Sequence, residues 1–481
     1  DPENGTKPVD LNLEQILTNM PQKTFESIRH TKSLKPLELP VVTVGEAIEA
    51  VFKLPSVGSK GFLVHKVDRS VTGLVAQQQC CGIAQIPIAD ASVNAQSHFG
   101  LTGSATAVGE QPVKMLIDPK AGARMAVAEM FTNMASVMVS DIADIRCRAN
   151  WMWPAKLPHE GALLYDAAIA MSGLMTELGI AVDGGKDSLS MAATISGELV
   201  KAPGSLVVLG YAPVPDITKK VTPDIKKPGD SLLLLIDLGQ GKNRLGGSAL
   251  AQVFNQLGDE SPDVENPKNL RNAFLAVQKM IDEGLILALH DRSDGGLITA
   301  VAEMCMASRC GFSLYVRNAE TALAQMFSEE LGFVVEVSLD NERRVLALCE
   351  EFDIPCSLAG VTRDDPLCGV LAAFGDDEPL FSGDITQLRL WWESTSYEIE
   401  KLQVNPACAT EEYRGHRAVL PGIDEYPSYR IEFVVKTTSD RFLNASDKPR
   451  VAVLREEGTN GEREMQAACV AAGLAPWDVA M

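Results

Sequence analysis

The residues with the clearest chemical potential lie in HDRSDGG, residues 290–296, between two apolar segments. Asp291 and Ser293 could serve a phosphate-bearing ligand, because a glycine loop at a helix N-terminus binds anions and carboxylates bind the accompanying divalent cations. Alternatively, Ser293 or Asp294 simply caps the first helical turn, and the glycines only permit a tight turn. Short motifs often match by chance, so this segment alone favours the cap.

A second pair of candidate ligands lies on a predicted helix. Glu129 and Asn133 are four residues apart in the largely apolar segment 118–142, so they share one helix face. A buried carboxylate needs a partner, and a Glu with an amide oxygen at this spacing offers two hard ligands to Mg²⁺. An ion pair between Glu129 and an Arg or Lys explains the pattern equally well.

Asp90 ends the apolar segment IPIAD. Strand ends often carry ligand-binding residues in α/β folds, although a turn or cap is the simpler explanation for Asp90 alone. Three carboxylates and one amide are then available from Asp90, Glu129, Asn133 and Asp291. This set suits hard cations that carry a polyphosphate, and it would suit Zn²⁺ poorly, since Zn²⁺ prefers His and Cys.

The segment DGGKDSLSM, residues 183–191, is a further candidate phosphate loop. Gly184 and Gly185 allow close approach of the backbone, and Lys186 supplies a positive charge. The pattern is not the GxxxxGK[ST] of a P-loop. A tight turn with a solvated Lys186 is the alternative.

No side-chain nucleophile is indicated. The six histidines fit no zinc pattern, we expect them to be surface or hydrogen-bonded residues, and neither GxSxG nor HExxH occurs. The ten cysteines contain no CxxC pair, which is typical of reduced thiols in a cytoplasmic protein. The chemistry indicated is therefore the electrostatic positioning of phosphates by a metal ion.

The elements that would position these residues alternate between helices and strands, which predicts an α/β fold. The predicted helices are 11–20, 43–54, 118–142, 161–179, 246–258, 269–284, 296–307 and 343–355. The predicted strands are 73–93, 204–214, 231–239, 285–290 and 369–375, with strand, loop and strand over 180–195. The segment 396–448 is predicted to be irregular.

Length and charge limit the classes of function. The 481 residues suffice for about three domains. A net charge of −21 argues against sequence-independent binding to nucleic acid or to anionic membranes. No apolar run approaches the roughly 18 residues that span a bilayer. Because the chain begins with DPENGTKPVD and stops on a predicted strand, we expect it to be a piece of a longer protein.

Nine segments resemble the large multidomain phosphoribosylformylglycinamidine synthases, or formylglycinamide ribonucleotide amidotransferases, of purine biosynthesis. The segments run in order along nearly the whole chain. They are KVDRSVTGLVAQQQC, GEQPVK, AVAEMFTNMAS, NWMWPAKLPHEGALLYDA, VDGGKDSLSMAA, RLGGSALAQVF, HDRSDGGL, LWWESTSYEIEKLQ and VAVLREEGTNGEREM.

The resemblance implies two related halves, each with an A and a B domain of the aminoimidazole ribonucleotide synthetase kind, followed by a class I glutaminase. Residues 1–57 would be the end of the first half and a connector. Residues 58–215 would be the second A domain and 228–395 the second B domain. Residues 396–448 would be a linker, and 449–481 the truncated start of the glutaminase domain.

The resemblance also implies a site for Mg²⁺ and ATP or ADP. The implied metal ligands are Asp90, Glu129, Asn133 and Asp291. The implied nucleotide contacts are Ala89 and Ser293, and Lys186 is a further nucleotide-binding candidate from its glycine segment. Asp294 would cap the helix behind this site.

In the family's reaction, ATP activates the formamide oxygen of formylglycinamide ribonucleotide, and ammonia from glutamine displaces phosphate to give the amidine. The implied partners are these small molecules together with the first half and the glutaminase domain, and neither nucleic acid nor membrane is expected. The family's second-half nucleotide site is auxiliary and holds ADP. We therefore expect this chain to bind Mg²⁺ and nucleotide without completing the reaction alone.

Two alternatives remain. One is a non-catalytic, nucleotide-binding structural half. The other is a free-standing enzyme that uses ATP and resembles aminoimidazole ribonucleotide synthetase. The segment LWWESTSYEIEKLQ and the glutaminase-like start near residue 450 argue against the second alternative.

Overall fold

The computed structural model describes residues 1–481 except 2, 8, 19–23, 31, 32, 374–377, 417–433 and 435. Parts of the predicted connector 1–57 and of the predicted linker 396–448 therefore lie outside the described residues. The described part contains two α/β units, which confirms the predicted fold class.

Three short helices precede the first sheet. They are α1 (Leu13–Leu17), α2 (Val44–Phe52) and α3 (Gly61–Val64). The predicted start of α2 is confirmed, because Thr43 and Glu46 form a capping box in which each side chain accepts the other's backbone N–H.

The first unit is a six-stranded sheet in the order β1-β2-β3-β8-β4-β5. Its strands are β1 (Val75–Gln77), β2 (Ser92–Ala95), β3 (Gly103–Glu110), β4 (Arg146–Met152), β5 (Ala181–Ser188) and β8 (Ser205–Val214). Its helices are α4 (Pro112–Ile117), α5 (Pro119–Met134) and α6 (Glu160–Leu178), and the hairpin β6 (Ala192–Ile195) and β7 (Glu198–Lys201) follows β5.

Three predictions in this unit need correction. The predicted helix 118–142 ends at Met134, and the predicted strand 73–93 has regular pairing only at its two ends. The predicted strand, loop and strand over 180–195 are present as β5, residues 189–191 and β6, but the loop or turn predicted at Gly184 and Gly185 is wrong, since both glycines lie inside β5 and pair with β4. The glycine is needed there because Gly185 has a φ of 153° and approaches the carbonyl of Ala149 too closely for a side chain.

The second unit is a seven-stranded sheet in the order β10-β12-β9-β13-β11-β14-β15. Its strands are β9 (Ser231–Asp237), β10 (Ile286–Asp291), β11 (Gly311–Val316), β12 (Gly332–Ser338), β13 (Cys356–Arg363), β14 (Gly369–Ala373) and β15 (Phe381–Gly383). Its helices are α7 (Ala249–Val253), α8 (Pro267–Asp282), α9 (Gly296–Ser308), α10 (Ala322–Phe327) and α11 (Glu342–Glu351). The predicted helix 246–258 is therefore shorter than expected.

The remaining elements follow the second sheet. They are α12 (Ile385–Glu400), α13 (Pro406–Gly415), α14 (Asp440–Leu443), β16 (Arg450–Arg455), α15 (Glu462–Ala471) and β17 (Ala475–Ala480). Strands β16 and β17 pair in parallel with α15 between them in sequence, so this segment is a βαβ unit. The irregular structure predicted for 396–448 is wrong at α13, where Asn405 caps a ten-residue helix.

The two α/β units share one apolar core. Phe131 on α5 stacks on Phe274 on α8, with ring centroids 4.4 Å apart. A second apolar cluster packs α9, α12 and α2 together. Among the described residues, every helix is too short or too polar to cross a membrane.

Candidate functional site

A cavity of about 590 Å³ is lined by residues of both units. Strands β2 and β3 and helix α5 contribute from the first unit, and the connection from β10 to α9 contributes from the second. Further lining comes from the segment before α3 and from α12. Five of the seven predicted site residues line this cavity: Ala89, Asp90, Asn133, Asp291 and Ser293.

Asp90 and His290 form a short polar contact in the cavity. His290 Nδ1 lies 2.6 Å from Asp90 Oδ1, and His290 Nε2 lies 2.9 Å from Oε2 of Glu303 on α9. The side chain of Asp90 is only 1% exposed, and its Oδ2 has no hydrogen-bond partner among the described residues. Burying a carboxylate oxygen without a partner costs free energy, so this atom is available to a ligand.

The surroundings of His290 favour the protonated form of its ring. Burial of the ring opposes protonation, but the carboxylates of Asp90 and Glu303 outweigh burial and raise the pKa of His290 well above its ordinary value. A carboxylate faces each ring nitrogen, so the imidazolium donates from both. His290 therefore fixes the orientation of Asp90.

The loop after β10 adds two more carboxylates. Burial and the charge of Asp90 raise the pKa of Asp291 to about 8. Burial and the charge of Glu329 raise the pKa of Asp294 to about 7. These carboxyl groups are costly to ionise together in the absence of a cation, and a divalent ion would remove that cost.

The glycine loop is held by a distant residue rather than by a local cap. Gly295 has a φ of 83° and directly precedes α9, where no side chain accepts a capping hydrogen bond. Glu329 accepts the N–H of Gly295 at 2.9 Å and also pairs with the buried Lys114 at 2.6 Å. The prediction that Asp294 or Ser293 caps α9 is therefore wrong, and both side chains face the cavity instead.

Glu129 does not line the cavity but belongs to the same carboxylate group. Its Oε2 accepts the N–H of Glu110 at 2.6 Å and the side-chain amide of Gln111 at 3.0 Å. The alternative prediction, an ion pair between Glu129 and an Arg or Lys, is therefore not found among these contacts, and amide N–H groups are the partners instead. Burial and the charges of Asp291 and Asp294 raise the pKa of Glu129 well above its ordinary value.

Asn133 offers its carbonyl oxygen to the cavity. Its amide Nδ2 donates to the backbone oxygen of Val108 at 3.0 Å, which leaves Oδ1 free to approach a cation. Ala89 is fixed by its backbone N–H, which donates to Gln79 at 3.1 Å. A side chain of one methyl group leaves room beside Asp90.

The structure does not bring Lys186 to this cavity. Lys186 is exposed on the edge strand β5, and its Nζ donates to Ser188 Oγ at 3.0 Å. Strand β5 is three strands away from the cavity-lining strand β3, a separation of about 14 Å at the usual strand spacing.

Three family models match the chain. The FGAR-AT PurM_N-like domain matches residues 59–213, and the C-terminal domain of AIR synthase related proteins matches residues 227–371. The CobB/CobQ-like glutamine amidotransferase domain matches residues 448–481. Helices α12 and α13 lie outside these three matches.

Curated relatives match over almost the whole chain. The probable phosphoribosylformylglycinamidine synthase of Arabidopsis thaliana is 48% identical over 98% of this chain and 33% of the relative. The phosphoribosylformylglycinamidine synthase of Homo sapiens is 46% identical over 98% of this chain and 35% of the relative. The chain belongs to the phosphoribosylformylglycinamidine synthase family. It spans about a third of the length of these relatives.

Solved structures of this family share the fold. Thermotoga maritima PurL complexed with FGAR has a TM-score of 0.52 at 12% identity, covering 73% of this chain and 54% of that chain. Phosphoribosylformylglycinamidine synthase II from Thermotoga maritima has a TM-score of 0.53 at 14% identity, covering 72% of this chain and 52% of that chain. At this identity the similarity concerns the fold alone.

Lys60, His290, Glu303 and Trp392 also line the cavity and were not among the predicted site residues. His290 directly precedes Asp291 at a strand end, which was the one available signal. Lys60 lies in a loop, where its Nζ donates to the carbonyl of Ser56 at 3.0 Å, and burial lowers its pKa. The roles of Glu303 and Trp392 depend on contacts between distant segments.

The side chains fit a hard divalent cation. Oxygen or nitrogen atoms of Asp90, His290 and Asp291 lie within 4.8 Å of one another. His290 is already bound on both nitrogens, so the oxygens of the two aspartates are the atoms available to a metal. The orphaned Oδ2 of Asp90 and the oxygen donors of Asp90, Asp291 and Asn133 fit Mg²⁺ better than Zn²⁺.

Proposed function

We propose that this chain provides a Mg²⁺–nucleotide site within a larger, ATP-dependent enzyme. That enzyme converts formylglycinamide ribonucleotide to formylglycinamidine ribonucleotide with ammonia derived from glutamine. The orphaned Oδ2 of the buried Asp90, in a cavity lined by further carboxylates, carries this proposal. The names of the curated relatives, at 46–48% identity, support the substrate class.

In this proposal the metal ligands are Asp90, Glu129, Asn133 and Asp291, and the nucleotide contacts are Ala89 and Ser293. Bound Mg²⁺ would neutralise and orient the phosphates. Ionised Asp90 and Asp291 bind the cation, and His290 keeps Asp90 in place. Lys60 contributes a positive charge to the same cavity, which supports an anionic ligand.

The isolated chain is proposed to bind Mg²⁺ and nucleotide but not to complete the reaction. Residues 58–215 and 228–395 are proposed as the second A and B domains, 396–448 as a linker and 449–481 as the start of the glutaminase domain. The partners proposed are formylglycinamide ribonucleotide, ATP, ammonia and the rest of the parent protein. The second candidate is a nucleotide site with a purely structural role. The observation in its support is that residues of this chain alone line the cavity.

The test is calorimetric titration of the chain with ADP and ATP, with and without Mg²⁺. Wild type should bind either nucleotide only with Mg²⁺, and Asp291→Asn should weaken that binding by at least tenfold. Asp340→Asn is the matched control, since Asp340 is exposed and outside the cavity. Binding unaffected by Mg²⁺ or by Asp291→Asn would refute the proposed site, and amidation by the isolated chain would refute the auxiliary role.

We also propose a reducing compartment such as the cytoplasm, as the cysteine pattern predicts. The Arabidopsis thaliana relative carries a chloroplastic/mitochondrial name, so the compartment needs its own test. Fractionation of cells that produce the parent protein would decide between the cytoplasm and an organelle.

A further inference from the structure

Helix α12 reaches the cavity although it lies outside the three family matches. Its Trp392 lines the cavity, is 2% exposed and packs in the same apolar cluster as α9 and α2. The indole Nε1–H donates to Oε1 of Glu303 at 3.0 Å. The other oxygen of the same carboxylate faces His290 Nε2 at 2.9 Å.

These contacts form one chain of four side chains. Trp392 fixes Glu303, Glu303 fixes the ring of His290, and His290 Nδ1 holds Asp90 Oδ1 at 2.6 Å. Every side chain in the series is largely buried, so water competes little for these hydrogen bonds. The series ends at Asp90 Oδ2, the oxygen that has no partner among the described residues.

Trp392 also contacts, through its backbone, the segment before α3 that lines the cavity. Its carbonyl accepts the N–H of Ser59 at 2.9 Å. An added Cβ on Gly58 would lie 3.0 Å from the same carbonyl, so the loop packs directly on α12. The next residue, Lys60, lines the cavity. Trp392 therefore connects two parts of the cavity. Its side chain contacts Glu303, which leads to Asp90, and its backbone contacts Ser59, which precedes Lys60.

We propose that Trp392 is a positioning residue for the metal–nucleotide site and that α12 is part of that site. The proposal rests on the proposed function for its ligand. Its physical basis is that partners behind a metal ligand hold the ligand in its binding orientation, and their loss usually weakens metal affinity by ten- to a hundredfold. In this role Trp392 acts on Asp90 through Glu303 and His290.

The decisive variant is Trp392→Phe, which removes the N–H donor and retains an aromatic ring. Trp391→Phe is the matched control, because Trp391 is the preceding residue of the same helix, packs against the same cluster and does not line the cavity. Binding of Mn²⁺, used as a paramagnetic substitute for Mg²⁺, is measured with the full chain in the presence of ADP by electron paramagnetic resonance. We expect Trp392→Phe to weaken Mn²⁺ binding about tenfold or more, and Trp391→Phe to change it less than twofold.

A second readout needs no metal. The ¹⁵N chemical shifts of the His290 ring, assigned with His290→Gln, report whether Glu303 still holds the ring. Trp392→Phe should move these shifts and Trp391→Phe should not. Glu303→Gln, which keeps the shape of the side chain, should also move the His290 shifts. It replaces Trp392→Phe in this test if Trp392→Phe does not fold.

The outcomes separate the two proposals. Normal Mn²⁺ affinity and unchanged His290 shifts in folded Trp392→Phe overturn the positioning role. If wild type binds no Mn²⁺ with ADP, the proposed function fails. The His290 shifts then decide the inference. If the shifts are unchanged in Trp392→Phe, the positioning role is overturned. If they move, Trp392 still positions His290 and Asp90, and only the proposed ligand is wrong.

Discussion

The raised pKa of Asp291 predicts that metal binding is linked to proton release. With a pKa of about 8, the carboxyl group is about nine-tenths protonated at pH 7 in the metal-free chain. A cation needs the ionised form, and ionising this group at pH 7 costs about 1.4 kcal/mol. From Asp291 alone, affinity for Mg²⁺ with ADP should therefore rise about 50-fold between pH 6 and pH 8 and then level off.

The same linkage has a definite sign for stability. The pKa of Asp291 is raised above the ordinary value of an unfolded aspartate, so the metal-free fold binds this proton more tightly than the unfolded chain does. The corresponding stabilisation is complete in acid and is lost as the pH rises through about 8. Saturating Mg²⁺ with ADP should cancel this loss, because the bound cation favours the ionised carboxylate.

Calorimetry at pH 7 in phosphate and in Tris measures the protons released, because these buffers differ in ionisation enthalpy. Titration with ADP in excess Mg²⁺ should release about 0.9 proton from Asp291, with a smaller contribution from Asp294. Asp291→Asn should release about one proton fewer, and Asp340→Asn should behave as wild type. An affinity that is flat between pH 6 and pH 8, with equal heats in both buffers, would refute the reasoning.

Three further predictions concern stability and the glycine segment. Glu329→Gln leaves the ammonium group of Lys114 buried without its anionic partner, and it should lower the free energy of unfolding in urea by about 3–5 kcal/mol. Glu351→Gln, at a half-exposed ion pair, should lower it by less than about 1 kcal/mol. Gly185→Ala would place its Cβ 1.9 Å from the backbone oxygen of Ala149 and should lower the free energy of unfolding by about 2 kcal/mol or more. In the same assay Gly184→Ala should change it by less than about 0.5 kcal/mol, because its Cβ would make only an ordinary contact, 3.7 Å from the Arg148 guanidinium. Lys186→Ala should leave the calorimetric affinity for Mg²⁺ with ADP within twofold of wild type, since the side chain is exposed on β5, and a tenfold loss would contradict this placement.

Local sequence patterns were sufficient to predict most of the helices and strands. The run SLLLLID predicts a buried strand because it is apolar without interruption from Leu232 to Ile236, and β9 is indeed a central strand between β12 and β13. The predicted C-cap at Gly179 is confirmed by its left-handed φ of 80°. These features depend on neighbours within a few residues, so one sequence contains the necessary information.

Contacts between distant segments could not be predicted in the same way. Glu329 holds a loop 34 residues earlier, and His290 meets Asp90 across 200 residues. In each case the partner depends on strand order and on which faces pack together. The turn predicted at the glycine pair in β5 is wrong for a related reason, since a glycine needed for close approach to β4 has the same local sequence pattern as a turn glycine.

The close approach of α5 to β3 explains how the half-buried carboxylate of Glu129 is held near the site. At Gly109, an added Cβ would lie 2.2 Å from the backbone oxygen of Ala126 on α5, so only glycine permits this contact. The next residue, Glu110, then brings its N–H to within 2.6 Å of Glu129 Oε2. One turn later on the same face, Asn133 donates to Val108 and faces the cavity. The spacing of Glu129 and Asn133 suggested a shared face from sequence alone, but it is the glycine on the facing strand that sets the distance between that face and the sheet. The two candidate ligands of α5 are therefore positioned by backbone packing, whereas Asp90 is positioned by a chain of side chains.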